Sequence, residues 1–210
     1  MVPGKFIPLI EETGAIIPSG DWVIRGACQQ RSKWRTRGIH NLCVTINWSP
    51  RQFQRVGFVD KLISDLNVPV SQIEFEITGG TVMLDNSGEI MKSLKNLGVR
   101  IAIDNFGAGC CSLEDLNRLP IDSLKIDQSF VRDLEQSNEN HATIKTIIVI
   151  TYALGIEVVA GGVETVHQLE TLTELGCDEI QGFLFSKAVS PVELDALLQG
   201  DGNIAVAASA

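Results

Sequence analysis

The chain has 210 residues, 44% hydrophobic and 20% charged, enough to bury one sizeable core and too few for two ordinary domains with a linker. No apolar run approaches the roughly 18 residues of a membrane span, and Met1-Val2-Pro3-Gly4-Lys5 lacks the basic and apolar regions of a secretory signal, so a cytoplasmic protein is the expectation. Seventeen Lys and Arg against 26 Asp and Glu leave a formal charge of -9, which repels a phosphate backbone and disfavours a nucleic-acid polymer as partner.

In chain order, two helices are predicted over about 6–13 and 20–37, with Ser19 or Asp21 as N-cap of the second. Arg25, Arg31, Lys33, Arg35 and Arg37 read as the solvated face of that second helix, with Trp34 available for a partner contact. Strands follow at 42–47, 73–77, 99–104, 123–126 and 156–160, with a weak sixth at 178–181. Helical patterns lie between them at about 51–66, 86–97, 112–118, 138–154 and 165–175. This alternation is the signature of βα units around a parallel sheet. Leu97-Gly98, Leu154-Gly155 and Leu175-Gly176 each precede a new strand, as helix C-termini favour. Ile144, Ile147, Ile148, Ile150 and Leu154 recur at helical spacing and predict a core-facing stripe. Residues 201–210 read as a frayed tail, leaving one domain over 1–200.

Polar residues wait at the C-terminal edges of these apolar strands: Asn47, Glu76 with Thr78, Asp104 with Asn105, Lys125 with Asp127, and Gln181. The fifth strand differs, ending Val158-Val159-Ala160-Gly161-Gly162 with Glu164 beyond. In α/β folds the strand C-termini face one side, so residues distant in sequence gather there. Carboxylates and an amide oxygen suit Mg²⁺ or Mn²⁺ rather than zinc, and a lysine beside them stabilises phosphate charge. Metal-assisted phosphodiester hydrolysis is the chemistry these groups suggest.

Other features are weaker. Gly107-Ala108-Gly109 lacks the lysine and serine of a phosphate-binding loop and reads as a flexible loop. The five cysteines, Cys28, Cys43, Cys110, Cys111 and Cys177, are odd in number and without a CxxC spacing, which favours reduced thiols. Vicinal Cys110 and Cys111 read as loop packing. His40, His141 and His167 have no metal-ligand spacing and read as surface residues.

Seven ordered motifs resemble those of EAL domains, the cyclic di-GMP phosphodiesterases of bacterial signalling. They are Phe6-Ile7-Pro8-Leu9-Ile10-Glu11-Glu12-Thr13-Gly14, Ile46-Asn47-Trp48-Ser49-Pro50-Arg51-Gln52-Phe53, Glu74-Phe75-Glu76-Ile77-Thr78, Ile103-Asp104-Asn105-Phe106-Gly107-Ala108-Gly109, Lys125-Ile126-Asp127, Gly162-Val163-Glu164-Thr165 and Gln181-Gly182-Phe183-Leu184-Phe185. The resemblance runs over about residues 3–199. It implies a modified TIM barrel that cleaves cyclic di-GMP to pGpG with two Mg²⁺ or Mn²⁺ ions. It further implies Asn47, Glu76 and Asp104 as metal ligands, with Asp104 bridging the two ions. Lys125 and Glu164 match catalytic positions, and Pro8, Gln52, Asp127 and Gln181 match ligand contacts.

The departures from the family pattern shape the functional expectation. The glutamate of the Glu-Ala-Leu triplet lies before the Phe6-Ile7-Pro8 motif in the family, and the sequence opens at that motif. A TIM-barrel-like α/β fold with about six of eight strands is therefore expected, incomplete at the N-terminus, with an exposed strand edge as a route to a homodimer. Asn105 stands in place of the second aspartate of an Asp-Asp pair, Gly161 in place of the first glutamate of an EGVE motif, and Gly79 in place of a loop-holding glutamate. Cys110 and Cys111 replace an aromatic or small polar pair. Removing one transition-state group commonly costs about 10² to 10³ in rate. The expectation is a degenerate EAL-type domain with weakened Mg²⁺ or Mn²⁺ binding and impaired or lost hydrolysis, serving cyclic di-GMP sensing or protein contact. Two alternatives stay open: an active phosphodiesterase that forms pGpG, and a partner-binding scaffold without nucleotide recognition.

Overall fold

The computed structural model describes residues 3–53, 70–107, 112–134 and 137–199. Two compact units divide between Ile101 and Ala102. Among the described residues six strands alternate with helices, and no helix is long and apolar enough to cross a membrane.

The first unit opens with α1 (Pro3–Glu12) and α2 (Ile16–Thr36). Helix α2 starts ahead of the expected caps: Ala15 is its N-cap and makes no side-chain hydrogen bond. Pro18 lies in the first turn, where a missing N–H costs nothing, so the helix begins before Ser19 and Asp21 rather than at them. Arg31 corrects the reading of a solvated basic face, since it is 0% exposed and Trp34 is buried with it. Its Nε donates to Leu42 O at 2.9 Å, Nη1 to Ile39 O at 3.0 Å and Nη2 to His40 O at 2.9 Å. Those carbonyls are thereby held by a side chain, and β1 runs from Val44 to Asn47 instead of starting at residue 42. Arg25, Lys33, Arg35 and Arg37 are exposed, as are His40, His141 and His167.

Helix α3 (Pro50–Phe53) follows, and the rest of the helix expected over 51–66 lies outside the described residues. A single 3₁₀ turn (Val70–Gln72) leads into β2 (Ile73–Thr78), then α4 (Gly79–Val82) and α5 (Ser87–Leu97). Strands β1 and β2 pair in parallel from Val44 opposite Ile73 to Asn47 opposite Glu76. Ile46, Phe53, Ile73, Phe75 and Ile77 are fully buried. Trp48 stacks edge-on to Phe53 with ring centroids 5.6 Å apart and lies 4.5 Å from Phe75. Gly98, at φ +88°, ends α5, and Val99 N reaches back to Leu94 O, the left-handed helix stop that only glycine adopts freely.

Strand β3 (Arg100–Phe106) crosses the division, and from Ala102 onward it belongs to the second unit. There α6 (Leu113–Arg118), β4 (Ser123–Ile126), α7 (Gln128–Arg132), α8 (Asn138–Leu154), β5 (Glu157–Ala160), α9 (Val166–Glu174), β6 (Glu179–Ile180) and α10 (Pro191–Gln199) follow. β3 through β6 pair in parallel with their sequence neighbours. Strand β6 is shorter than the expected 178–181, because the Asp178 side chain, through Oδ2, takes the Val158 N–H at 2.8 Å. The stripe on α8 holds at Ile144, Ile147 and Ile148, while Ile150 is half-buried and Leu154, in the last turn, is 37% exposed. Thr151 takes the remaining core position, its hydroxyl donating to Ile147 O and Ile148 O so that it enters the interior satisfied. Helices α7 and α10, like α4, were not expected from the sequence, and the tail at 201–210 and the Cys110–Cys111 pair lie outside the described residues.

Candidate functional site

On the first unit the strand ends present Asn47 and Glu76 as register partners. Side chains opposite one another in a parallel pair project to the same face, so an amide and a carboxylate stand side by side there. Glu76 is 3% exposed and Asn47 is exposed. Trp48 N donates to Glu76 O at 2.8 Å, which continues the β1–β2 ladder past Asn47 and fixes the chain just beyond it. Ser49 and Gln52 cap α3 reciprocally: Ser49 N donates to Gln52 Oε1 at 3.2 Å and Gln52 N to Ser49 Oγ at 3.4 Å. Gln52, matched by resemblance to a ligand contact, is 5% exposed. Its side chain lies against Gly20 of α2, where a Cβ would fall 1.4 Å from Gln52 Nε2. Pro8 is exposed within α1.

Two residues below Glu76 on the same face of β2, Glu74 forms a polar layer that sequence reasoning missed. Thr45 Oγ1 donates to its Oε1 and Arg100 Nε to its Oε2, both at 3.2 Å. The signal was present as a charged residue inside an apolar strand, at the period of two that shares a face with Glu76.

On the second unit Asp104 and Asn105 sit where β3 and β4 lose register between Ile103 and Phe106. Asn105 is at φ +56°, the left-handed conformation that Asn tolerates better than most side chains. Its Nδ2 donates to Asp104 Oδ2 at 2.8 Å. Gly107, at φ +101°, lies so close to α7 that a Cβ would be 2.5 Å from Phe130 Cε2. Close packing, not loop flexibility, therefore accounts for this glycine. Lys125, half-buried in β4, neighbours Val159 of β5, and a Cβ on Gly161 would fall 3.0 Å from Lys125 Cε. The lysine stem thus borders the space that a side chain at 161 would enter. Asp127 Oδ1 accepts from Ser129 N at 2.8 Å and caps α7. Glu164 is exposed, and its backbone N–H is held by Gln168 Oε1 at 2.8 Å. Gln181 is half-buried and receives Val163 N at 3.0 Å through its carbonyl.

Among the described residues no group of three or more His, Cys, Asp and Glu side chains is placed to hold a metal ion. The strand-end donors are the Glu76 carboxylate and Asn47 amide on the first unit and the Asp104 carboxylate and Asn105 amide on the second, oxygen donors of the type that Mg²⁺ and Mn²⁺ prefer. On each unit taken by itself the donors fit a hard divalent cation in kind, and one carboxylate is little charge to bind it tightly.

Residues 1–188 match the EAL domain family. Over 201 residues the chain is 39% identical to the signaling protein YkoW of Bacillus subtilis, covering 93% of this chain and 25% of that protein. Over 199 residues it is 37% identical to the bifunctional diguanylate cyclase/cyclic di-GMP phosphodiesterase MucR of Pseudomonas aeruginosa, covering 92% and 29%. The chain thus spans about a quarter to a third of the length of these curated relatives. Among solved structures it is similar to the MucR phosphodiesterase in complex with c-di-GMP, at TM-score 0.88 and 37% identity over 92% of this chain and 81% of that one. The EAL domain of Mycobacterium smegmatis DcpA matches at TM-score 0.80 and 37% identity, over 85% and 83%. The fold is α/β and TIM-barrel-like, of the type these EAL structures share.

Proposed function

The chain belongs to the EAL domain family, and from that premise we propose that it recognises cyclic di-GMP in bacterial second-messenger signalling with hydrolysis impaired or lost. The observation that carries this reading is the hydrogen bond from Asn105 Nδ2 to Asp104 Oδ2 at 2.8 Å. Where the family pattern has a second carboxylate facing a cation, this chain supplies a neutral amide that donates into the remaining one. Gly161 adds no carboxylate. Similarity to an EAL structure solved with c-di-GMP supports the ligand class.

A bound Mg²⁺ or Mn²⁺ lowers the pKa of a coordinated water and neutralises phosphoryl oxygens. By resemblance to the family, Asn47 and Glu76 on the first unit and Asp104 on the second match ligand positions, and Asn105 beside Asp104 supplies no anion. Lys125 attracts the phosphodiester, Gln181 and Asp127 offer polar contacts to the nucleotide, and Glu164 is a remnant of the catalytic set. Output passes to a protein partner or to a second copy of the chain, in the cytoplasm.

The test is incubation of the purified protein with cyclic di-GMP and Mn²⁺, alongside calorimetric titration. Heat of binding with no pGpG is the expected result. Formation of pGpG that Glu76→Ala abolishes would establish an active phosphodiesterase instead. Absence of heat at high ligand concentration, with or without Mn²⁺, leaves a scaffold that does not recognise nucleotide.

A further inference from the structure

The two units carry opposite charge. Residues 1–101 hold twelve Lys and Arg against nine Asp and Glu, and residues 102–210 hold five against seventeen, formal charges of +3 and -12 within the -9 of the chain. On the first unit Trp22, Arg25, Gly26, Gln29 and Lys33 recur at three- and four-residue spacing along α2, which sets them on one face. All five are exposed, Trp22 at 76%, while the opposite face is buried at Ile24, Cys28 and Arg31. On the second unit most of the described carboxylates are engaged within the chain: Asp115, Asp127, Asp178 and Glu193 accept backbone N–H groups, and Glu114 and Asp133 face Arg118 and Arg132. Glu170 and Glu174 differ. They are exposed one turn apart on α9, alongside Val166 at 58% exposure, on a helix without Lys or Arg. Among the described residues none of Arg25, Lys33, Glu170 and Glu174 takes part in an ion pair.

We propose that the exposed face of α2 docks on α9 of a second copy of this chain, with Trp22 covering Val166 and with Arg25 and Lys33 facing Glu170 and Glu174. At 1.5 Å per residue Trp22 to Lys33 spans about 16 Å and Val166 to Glu174 about 12 Å, a difference that the long lysine stem closes. Each side is an apolar residue followed along the helix by two charges, and the charges of the two sides are opposite. Like charges one turn apart destabilise a helix that has no cation to offset them, so α9 gains from a basic neighbour. Trp and Arg are the residue types that carry most binding energy at interfaces. Charge complementarity selects the second copy: an anionic membrane would attract α2 and repel the rest of the chain, whereas a second copy presents matching carboxylates. The contact requires no nucleotide, so it stands apart from the cyclic di-GMP reading.

The test is sedimentation velocity of the wild-type chain without nucleotide, over a range of protein and salt concentrations. Self-association that weakens as salt rises is the expected result. Arg25→Glu with Lys33→Glu, and separately Glu170→Arg with Glu174→Arg, should each weaken it by about 100-fold or more, because each sets like charges against one another. An equal mixture of the two variants should associate again, since each supplies the charges that the other reversed. Trp22→Ala should weaken association by about tenfold or more. Trp34 and Trp48 are buried, so acrylamide quenching of the wild-type emission, which reports Trp22, should fall as the chain associates. A monomeric wild type would overturn the proposal, and its sedimentation with vesicles of phosphatidylcholine and phosphatidylserine would then assign α2 to a membrane instead. Association that survives both reversals, or a mixture of the variants that stays monomeric, would overturn it too, by placing the contact elsewhere.

Discussion

Replacing Arg31 by Met probes whether a buried cation fastens the approach to both strands of the first unit. The guanidinium is fully buried and its donors reach Leu42 O, Ile39 O, His40 O and Gln72 Oε1 at 2.5–3.0 Å. Hydrogen bonds to a charged group contribute about 1.5–3 kcal/mol each, but the sum overstates the effect. Burial pulls the guanidinium pKa down, a sign that desolvation offsets part of the gain. His40 O also keeps a second donor in Gln72 Nε2. Loss of the donors to Ile39 O and Leu42 O then sets the cost at about 3 kcal/mol, a large share of the roughly 5–15 kcal/mol that holds a domain folded. For a chain of this size that lowers the melting temperature by roughly 6–12 °C. All three tryptophans, Trp22, Trp34 and Trp48, precede the division at residue 101, so their emission in a urea titration reports the first unit alone. Arg31→Lys should fall between, because one ammonium cannot span three carbonyls. A loss below about 1 kcal/mol in Arg31→Met, or wild-type stability in Arg31→Lys, would refute the reasoning.

Burial pushes the Cys28 thiol up to about 11 and the Cys177 thiol up to about 12. At a mildly alkaline pH iodoacetamide should therefore label exposed Cys43 and spare Cys28 and Cys177 until urea is added, as peptide mapping by mass spectrometry would reveal. Native labelling of Cys28 at the rate of Cys43 would contradict its place in the core. Hydrogen bonds from the Ser112 side chain and backbone hold the Asp115 carboxyl below its usual range, and those from the Ser190 backbone and side chain do the same for Glu193. A folded-state pKa below the unfolded value contributes stability above the ordinary carboxylate range that fades as pH falls through the lowered values. Melting temperatures between about pH 7 and about pH 3 should fall less steeply in Ser112→Ala with Ser190→Ala than in the wild type, and parallel curves would show that the caps do not matter.

The order of strands and helices was legible because the evidence for it is local. Apolar runs bounded by Gly98, Gly155 and Gly176 mark where helices stop and strands begin, and the structure has the left-handed glycines there. The position of Asn47 and Glu76 near the C-terminal ends of their strands was likewise legible, whereas the register that sets them opposite one another came from the structure. The motif order was enough to reach the family, since each motif keeps its residues contiguous. Glu74 was less legible: its period-two spacing from Glu76 was visible, but its partners Thr45 and Arg100 lie 29 and 26 residues away.

By itself the sequence determined the α/β class, the strand-end positions of the polar residues and the substitutions at 105, 161 and 79. Tertiary structure alone decided what several of those side chains do. Arg31 faces inward because three carbonyls between α2 and β1 take its donors, which no helical periodicity of basic residues foretells. Gln52 is spent on capping α3 against Gly20, and Asn105 on Asp104. Propensity and periodicity act within a few residues, whereas the partner of a polar group and the exposure of a ring depend on which distant segment arrives beside them.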